Sequence, residues 1–228
     1  MMAAPGSCIR RWIQGGLMKI SAANGATVGI VEHGNDAIAV TIGPRDEILD
    51  RRSIALTEGL PTHPYHHEGA WAVGRYLDSP WARPMSFSDA VALVARVTEA
   101  AAHGAQKGLA ALAADLSFPI TAIAIRLCPA LPPSIEERIH DNRAQVVADS
   151  VMYREAMANA ARARGWSVEW YDRDQIYDEA ANRLGIPDID PLLRDMGRRI
   201  GPPWQAKQKL AAVAALVAAR GPSTRSAP

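Results

Sequence analysis

The stretch 27-TVGIVEHGNDAIAVTIGPRDEILDRRSIALT-57 decides how the fold is read. Residues 27–31 form a short apolar run that ends in Glu32-His33-Gly34-Asn35-Asp36, and Asn, Gly and Asp cluster where a chain turns. Residues 37–42 follow with β-branched side chains. Gly43-Pro44-Arg45-Asp46 is a second turn signal. Residues 47–57 read as a third strand with Ile48, Leu49, Ile54 and Leu56 at its apolar positions. Two turn-joined hairpins predict a three-stranded antiparallel meander.

Outward from this meander, residues 58–85 are irregular and hold Pro61, Pro64, Pro80 and Pro84. A short helix is predicted over residues 68–77, inside a loop long enough to suggest function. Ser86-Phe87-Ser88-Asp89 opens a helical pattern that runs to about residue 115, with Val91, Val94, Val97 and Ala101 at helical spacing. Residues 120–127, ITAIAIRL, read as a buried central strand. Ser134-Ile135-Glu136-Glu137 is a capping box, and its helix is expected to run to Arg164 and stop at Gly165. Residues 166–171, WSVEWY, predict a fifth strand. A small helix is expected at 175–184, a turn at 191–199, and a last helix over 205–220 after Gly201-Pro202-Pro203-Trp204. A meander feeding βαβ crossovers makes an α/β fold, a mixed five-stranded sheet with helices on both faces.

The chain of 228 residues is 48% hydrophobic and 21% charged, which suits one globular domain. That domain is expected over residues 23–220, between a flexible N-terminal extension (1–22) and a Ser/Pro/Gly-rich tail (221–228). Lys plus Arg is 25 and Asp plus Glu is 24, a net charge of +1. This excludes a polybasic coat protein and an acidic tail, but not a local basic groove. Two cysteines, Cys8 and Cys128, make neither a disulfide framework nor a four-cysteine zinc site. No run of 18 apolar residues occurs, so no membrane partner is expected. Arg10-Arg11-Trp12 resembles the start of a twin-arginine signal, but Gln14, Lys19 and Asn24 interrupt any apolar region. Met18-Lys19 reads as an alternative start, and a cytoplasmic protein is expected. The chain lacks G-x-x-x-x-G-K-[ST], a strand-linked G-x-G-x-x-G and G-x-S-x-G, the central devices of P-loop ATPases, Rossmann dehydrogenases and α/β-hydrolases.

Over residues 27–220 the element order resembles that of the RNase H-like (RuvC-like) superfamily. Gly29-Ile30-Val31-Glu32-His33-Gly34 is similar to the G-[IL]-D-x-G opening of RuvC-type nucleases and actin-like ATPases. Pro203-Trp204 before an alanine-rich helix is similar to the closing segment of RuvC-like proteins. The resemblance implies sheet order 3-2-1-4-5 and metal-dependent phosphodiester chemistry, in which acids from the first strand, a following helix, the fourth strand and the last helix surround two Mg²⁺ or Mn²⁺ ions. Carried onto this chain, it makes Glu32 and Glu68 metal ligands with a catalytic role. Beside it, the residues themselves offer His66 or His67 as a ligand or base (His66 as metal ligand, His67 as catalytic) and Arg126 and Lys207 as nucleic-acid contacts. The chain also departs from the pattern. Val31 stands where the family has Asp, and Glu32 lies one residue later, a step that reverses the face of a strand. Asp36 is a nearby substitute. Arg126-Leu127-Cys128 carries no acid, and Lys207 or Lys209 stands where the last helix should have one. Two readings follow: a nuclease acting on nucleic-acid phosphodiesters, or a non-catalytic module of the same fold that binds a nucleic-acid or protein partner.

His63-Pro64-Tyr65-His66-His67-Glu68 gathers three of the six histidines and one acid. Imidazole and carboxylate together suit zinc, iron or manganese, and imidazole also serves as acid or base. The spacing fits no standard zinc motif, so a zinc-dependent hydrolytic site ranks below Mg²⁺ or Mn²⁺. The alternative is a solvated loop that caps the next helix. Arg126 suits a phosphate or carboxylate held bidentately, or a structural ion pair. Lys207 and Lys209 oppose the dipole of a helix start and suit phosphate backbone or a solvated face. Glu136 and Glu137 read as capping residues, and Asp172-Arg173-Asp174 as a turn. Trp71, Trp81, Trp166, Trp170 and Trp204 read as packing, or as stacking surfaces if a groove exposes them.

Overall fold

A computed structural model describes residues 25–73, 78, 80 and 84–221. Residues 1–22 and the tail beyond Gly221 lie outside the described residues, as do Cys8, Trp81 and positions 74–77 of the helix expected at 68–77. The meander forms as its turn signals require. β1 (Ala26–His33) and β2 (Asp36–Ile42) are antiparallel from Thr27 opposite Ile42 to His33 opposite Asp36. β3 (Ile48–Ala55) pairs antiparallel with β2. β4 (Ile120–Arg126) lies parallel to β1, and β5 (Ser167–Tyr171) parallel to β4. The sheet order is 3-2-1-4-5, the RNase H-like topology.

Period-two alternation in the central strands feeds two cores. Val28, Ile30, Ile123 and Ile125 face a cluster built with α2 (Phe87–Asp115) and α4 (Ala144–Arg162). Val31, Val40, Ile42 and Ala124 face a second cluster built with α5 (Ile176–Leu184), α6 (Asp190–Ile200) and α7 (Ala206–Ala218). Helices therefore cover both faces. α7 lies unusually close to the sheet because its buried residues are mostly alanine. Gly29 makes the approach complete: a Cβ there would stand 1.7 Å from the Ala211 carbonyl oxygen. The Thr27 hydroxyl donates to the Ala215 carbonyl at 2.9 Å and pins the helix along its length.

Three elements differ from the sequence reading. The helix expected from residue 134 to 164 is two. α3 (Ile135–His140) starts with the expected capping box, in which Glu137 N–H donates to Ser134 Oγ at 3.1 Å. Asp141 then turns extended, and its carboxylate accepts from the N–H groups of Arg143 and Ala144, which restarts the helix. The turn expected at 191–199 is the helix α6, since Pro191 sits in the first turn, where a missing N–H costs nothing. The segment expected to be helical from residue 68 starts earlier, as a π-helical turn (Pro64–Gly69) that runs into α1 (Ala70–Ala72). Among the described residues no helix is long and apolar enough to cross a membrane.

Candidate functional site

In open sheets with parallel strands, ligands settle beyond the carboxyl ends of the strands. Here β1, β4 and β5 end together and the first turn of α7 meets them. The result is one crevice with two lobes. A lobe of about 280 Å³ opens on the α7 side and includes Val31, Tyr171, Tyr177 and Lys207. A lobe of about 410 Å³ opens on the α4 side and includes Leu127, Cys128, Val147 and Arg154. Glu32, Arg126 and Arg173 line both.

The pairing of β1 with β2 is regular from Thr27 to His33, with no bulge near Glu32. The one-residue step from Val31 to Glu32 therefore stands. Val31 points to the α7 side and belongs to that core. Glu32 points to the α4 side, where Arg154 Nη2 donates to its carboxylate. Arg154 also donates to the Leu127 carbonyl at 3.0 Å, and its side chain is 5% exposed. On the α7 side Lys207 Nζ donates to the Glu32 carbonyl at 3.4 Å and meets His33 Nδ1. The α7 N-terminus carries no acid in its first turn and is capped by Gln205 and Gln208. The side chains of Arg126 and Arg173 make no hydrogen bond or ion pair among the described residues.

The histidine-rich segment forms a separate cluster on the α4 side of the sheet. Asp149 of α4 accepts from Tyr65 N–H at 2.9 Å and from His66 N–H at 3.2 Å. It thereby ties down two donors at the start of the π-helical turn. Burial pushes the Asp149 carboxyl up to about 7, against the pull of those two N–H groups. His63 Nδ1 stands 3.8 Å from the same carboxylate. Burial lowers His63 and His66 below the ordinary imidazole value. His67 stacks on Trp71 with ring centroids 5.0 Å apart. His66, His67 and Glu68 line neither lobe of the crevice.

The structure therefore brings Glu32, Arg126 and Lys207 together and leaves Glu68, His66 and His67 elsewhere. Among the described residues, no three His, Cys, Asp or Glu side chains stand where they could share a metal ion. The pair of Mg²⁺ or Mn²⁺ ions that the fold implies does not fit this crevice, where a guanidinium holds Glu32 and an ammonium takes the α7 position. Arg154, Arg173 and Asp149 were not singled out as site residues from sequence. The signal for the first was weak, since SVMYREAMANAA (150–161) sets Arg154 beside Glu155 in a mostly small and apolar helix, where the two read as an ordinary polar pair. Asp149 likewise continues a polar stripe at helical spacing with Gln145 and Tyr153, both buried.

No protein-family model matches the chain, and no curated protein matches it. Two solved structures are similar to it in overall arrangement. One is RuvC of T. thermophilus in complex with a Holliday junction substrate, with a TM-score of 0.47 and 13% identity over 86% of this chain and 92% of that one. The other is a Thermus thermophilus RuvC structure, with a TM-score of 0.45 and 14% identity over 86% of this chain and 93% of that one.

Proposed function

We propose that this chain is a non-catalytic module of RNase H-like fold that holds nucleic acid by its phosphates in the crevice at the carboxyl ends of β1, β4 and β5. One observation carries the reading. Arg126 and Arg173 carry guanidiniums with no side-chain partner among the described residues, in a crevice whose one strand-borne acid, Glu32, is already neutralised by Arg154. Lys207 adds a third cation. Guanidinium forks match phosphate oxygens, and an ammonium serves as a point charge beside them. Asp174 lines the α7-side lobe and Asp172 the α4-side lobe, so three cations face two carboxylates there and the attraction is local, while the chain as a whole stays near neutral.

Cleavage by two cations needs several carboxylate oxygens around one point. Val31, Glu32 locked to Arg154, and Lys207 supply the opposite, so the crevice is read as grip without chemistry. The test is fluorescence anisotropy with labelled single-stranded, duplex and branched DNA and RNA, in EDTA and again in Mg²⁺. Binding in EDTA that weakens in Arg126→Ala and Lys207→Ala, with the strand left intact, is the expected result. Absence of binding at low salt, or equal binding by both variants, overturns the reading.

A further inference from the structure

The α4-side lobe is larger and less polar than a phosphate requires. Its volume of about 410 Å³ lies in the range that takes an organic ligand. Leu127, Pro129 and Val147 form its apolar wall. Leu127 is 49% exposed, more than any other large hydrophobic residue except Val146 among the described residues. Arg126 and Arg173 stand at the boundary with the other lobe. The Arg154–Glu32 pair also lines the lobe and carries no net charge, and Asp172 adds one carboxylate against the two free-standing arginines. Ser150 lines the lobe, and its hydroxyl makes no hydrogen bond among the described residues.

This lining offers what a nucleotide needs: cations for its phosphate, apolar side chains for its base, and one adaptable hydroxyl. A base inside a duplex has both faces stacked and its edge paired, so it cannot reach such a wall. An unpaired base can, because its faces and edge are free. We infer that the α4-side lobe takes one unstacked base of a single strand, whose adjoining phosphate rests on Arg126 and Arg173. The inference rests on the phosphate-binding reading and adds a preference for unpaired nucleic acid. A single hydroxyl that both donates and accepts favours no one base, so the preference is for single-strandedness rather than for sequence.

The test compares one oligonucleotide carrying 2-aminopurine as a single strand and as a blunt duplex, with the full chain in EDTA. Affinity is read by anisotropy and base unstacking by 2-aminopurine fluorescence. The single strand should bind tighter by about tenfold, the scale of burying one face of a base against aliphatic side chains. Its fluorescence should change on binding. Leu127→Ala removes the wall and Val147→Phe fills the lobe; each should reduce the preference to under about threefold, with duplex affinity unchanged. Both positions are at least partly exposed, so folding is not at stake. Equal binding of strand and duplex, or a preference that both variants keep, overturns the inference and leaves phosphate binding standing. No binding of either form overturns both.

Discussion

Arg154 donates a hydrogen bond to the Glu32 carboxylate across 122 positions of sequence, and this pair fixes the character of the crevice. Glu32 is the acid that the first strand offers, and it lies on the face opposite Val31. Arg154 rises from α4 with a nearly buried side chain and meets it there. Both charges are spent on each other. Of the other charged groups in the crevice, Arg126, Arg173 and Lys207 outnumber Asp172 and Asp174.

Breaking this pair from one side should be costly. Removing one partner of a buried ion pair leaves the other charge unsatisfied, at about 3–5 kcal/mol. Arg154→Ala should lower stability to chemical denaturation by that order. Glu32→Leu with Arg154→Met should cost much less, since neither variant side chain needs a partner. A double variant as unstable as Arg154→Ala would show that the pair matters through more than its charge.

Gly29→Ala should be among the most damaging small substitutions in the chain. The added Cβ would stand 1.7 Å from a backbone oxygen of α7, and a backbone cannot swing aside as a side-chain tip can. The expected loss is about 3 kcal/mol or more, read as a fall in Tm. A loss under about 1 kcal/mol would mean that α7 rides farther from β1.

Asp149 should leave a signature in the pH dependence of stability. Burial raises it to about 7 from an ordinary 3.8. Between those values the folded chain keeps a proton that the unfolded chain releases. Its contribution is thus full below about pH 4 and declines as pH rises to about 7. His63 and His66 work oppositely: burial lowers them, so their contribution declines as pH falls through the ordinary histidine value of 6.5. Subtracting the stability of Asp149→Asn from that of the parent isolates the carboxyl. The difference should shrink by a few kcal/mol from pH 4 to pH 7, at up to about 1.4 kcal/mol per unit. A difference that stays flat would contradict the assignment.

Much of this fold is legible in the sequence, and the reasons are local. The turns at Gly34-Asn35 and Gly43-Pro44 announce themselves through residues that only turns favour, and they set the meander in register. The continuous apolar run at Ile120–Arg126 can only be a strand covered on both faces. The break at Asp141 was less legible, because a carboxylate that restarts a helix looks in sequence like one exposed residue among many. The crevice was half legible. Glu32, Arg126 and Lys207 lie near strand and helix ends that the topology places together. Arg173 sits in a turn that reads as capping chemistry. Arg154 sits in mid-helix, and no local rule says which strand end it will reach. Glu68, His66 and His67 looked like a site because they are dense in sequence. Tertiary packing ties the His66 backbone N–H to Asp149 and stacks His67 on Trp71 instead, and Glu68 lines neither lobe.

Salt should report how many phosphates the crevice holds. Each cation that neutralises a phosphate adds about one to the slope of log affinity against log salt. Arg126→Ala and Lys207→Ala should each reduce that slope by about one. Arg45→Ala, on an exposed residue of the β2–β3 turn, should leave it unchanged. Equal slopes in all three variants would place the contact surface elsewhere.

The most direct measurement follows one labelled single strand through binding and integrity in the same tube. Anisotropy reads binding and a denaturing gel reads the strand, in EDTA and in Mg²⁺ or Mn²⁺. Equal affinity under all three conditions, weakened by Arg126→Ala, with the strand uncut, is the result predicted for a phosphate grip without metals. Cleavage that appears only with the divalent ion and disappears in Glu32→Gln would contradict it.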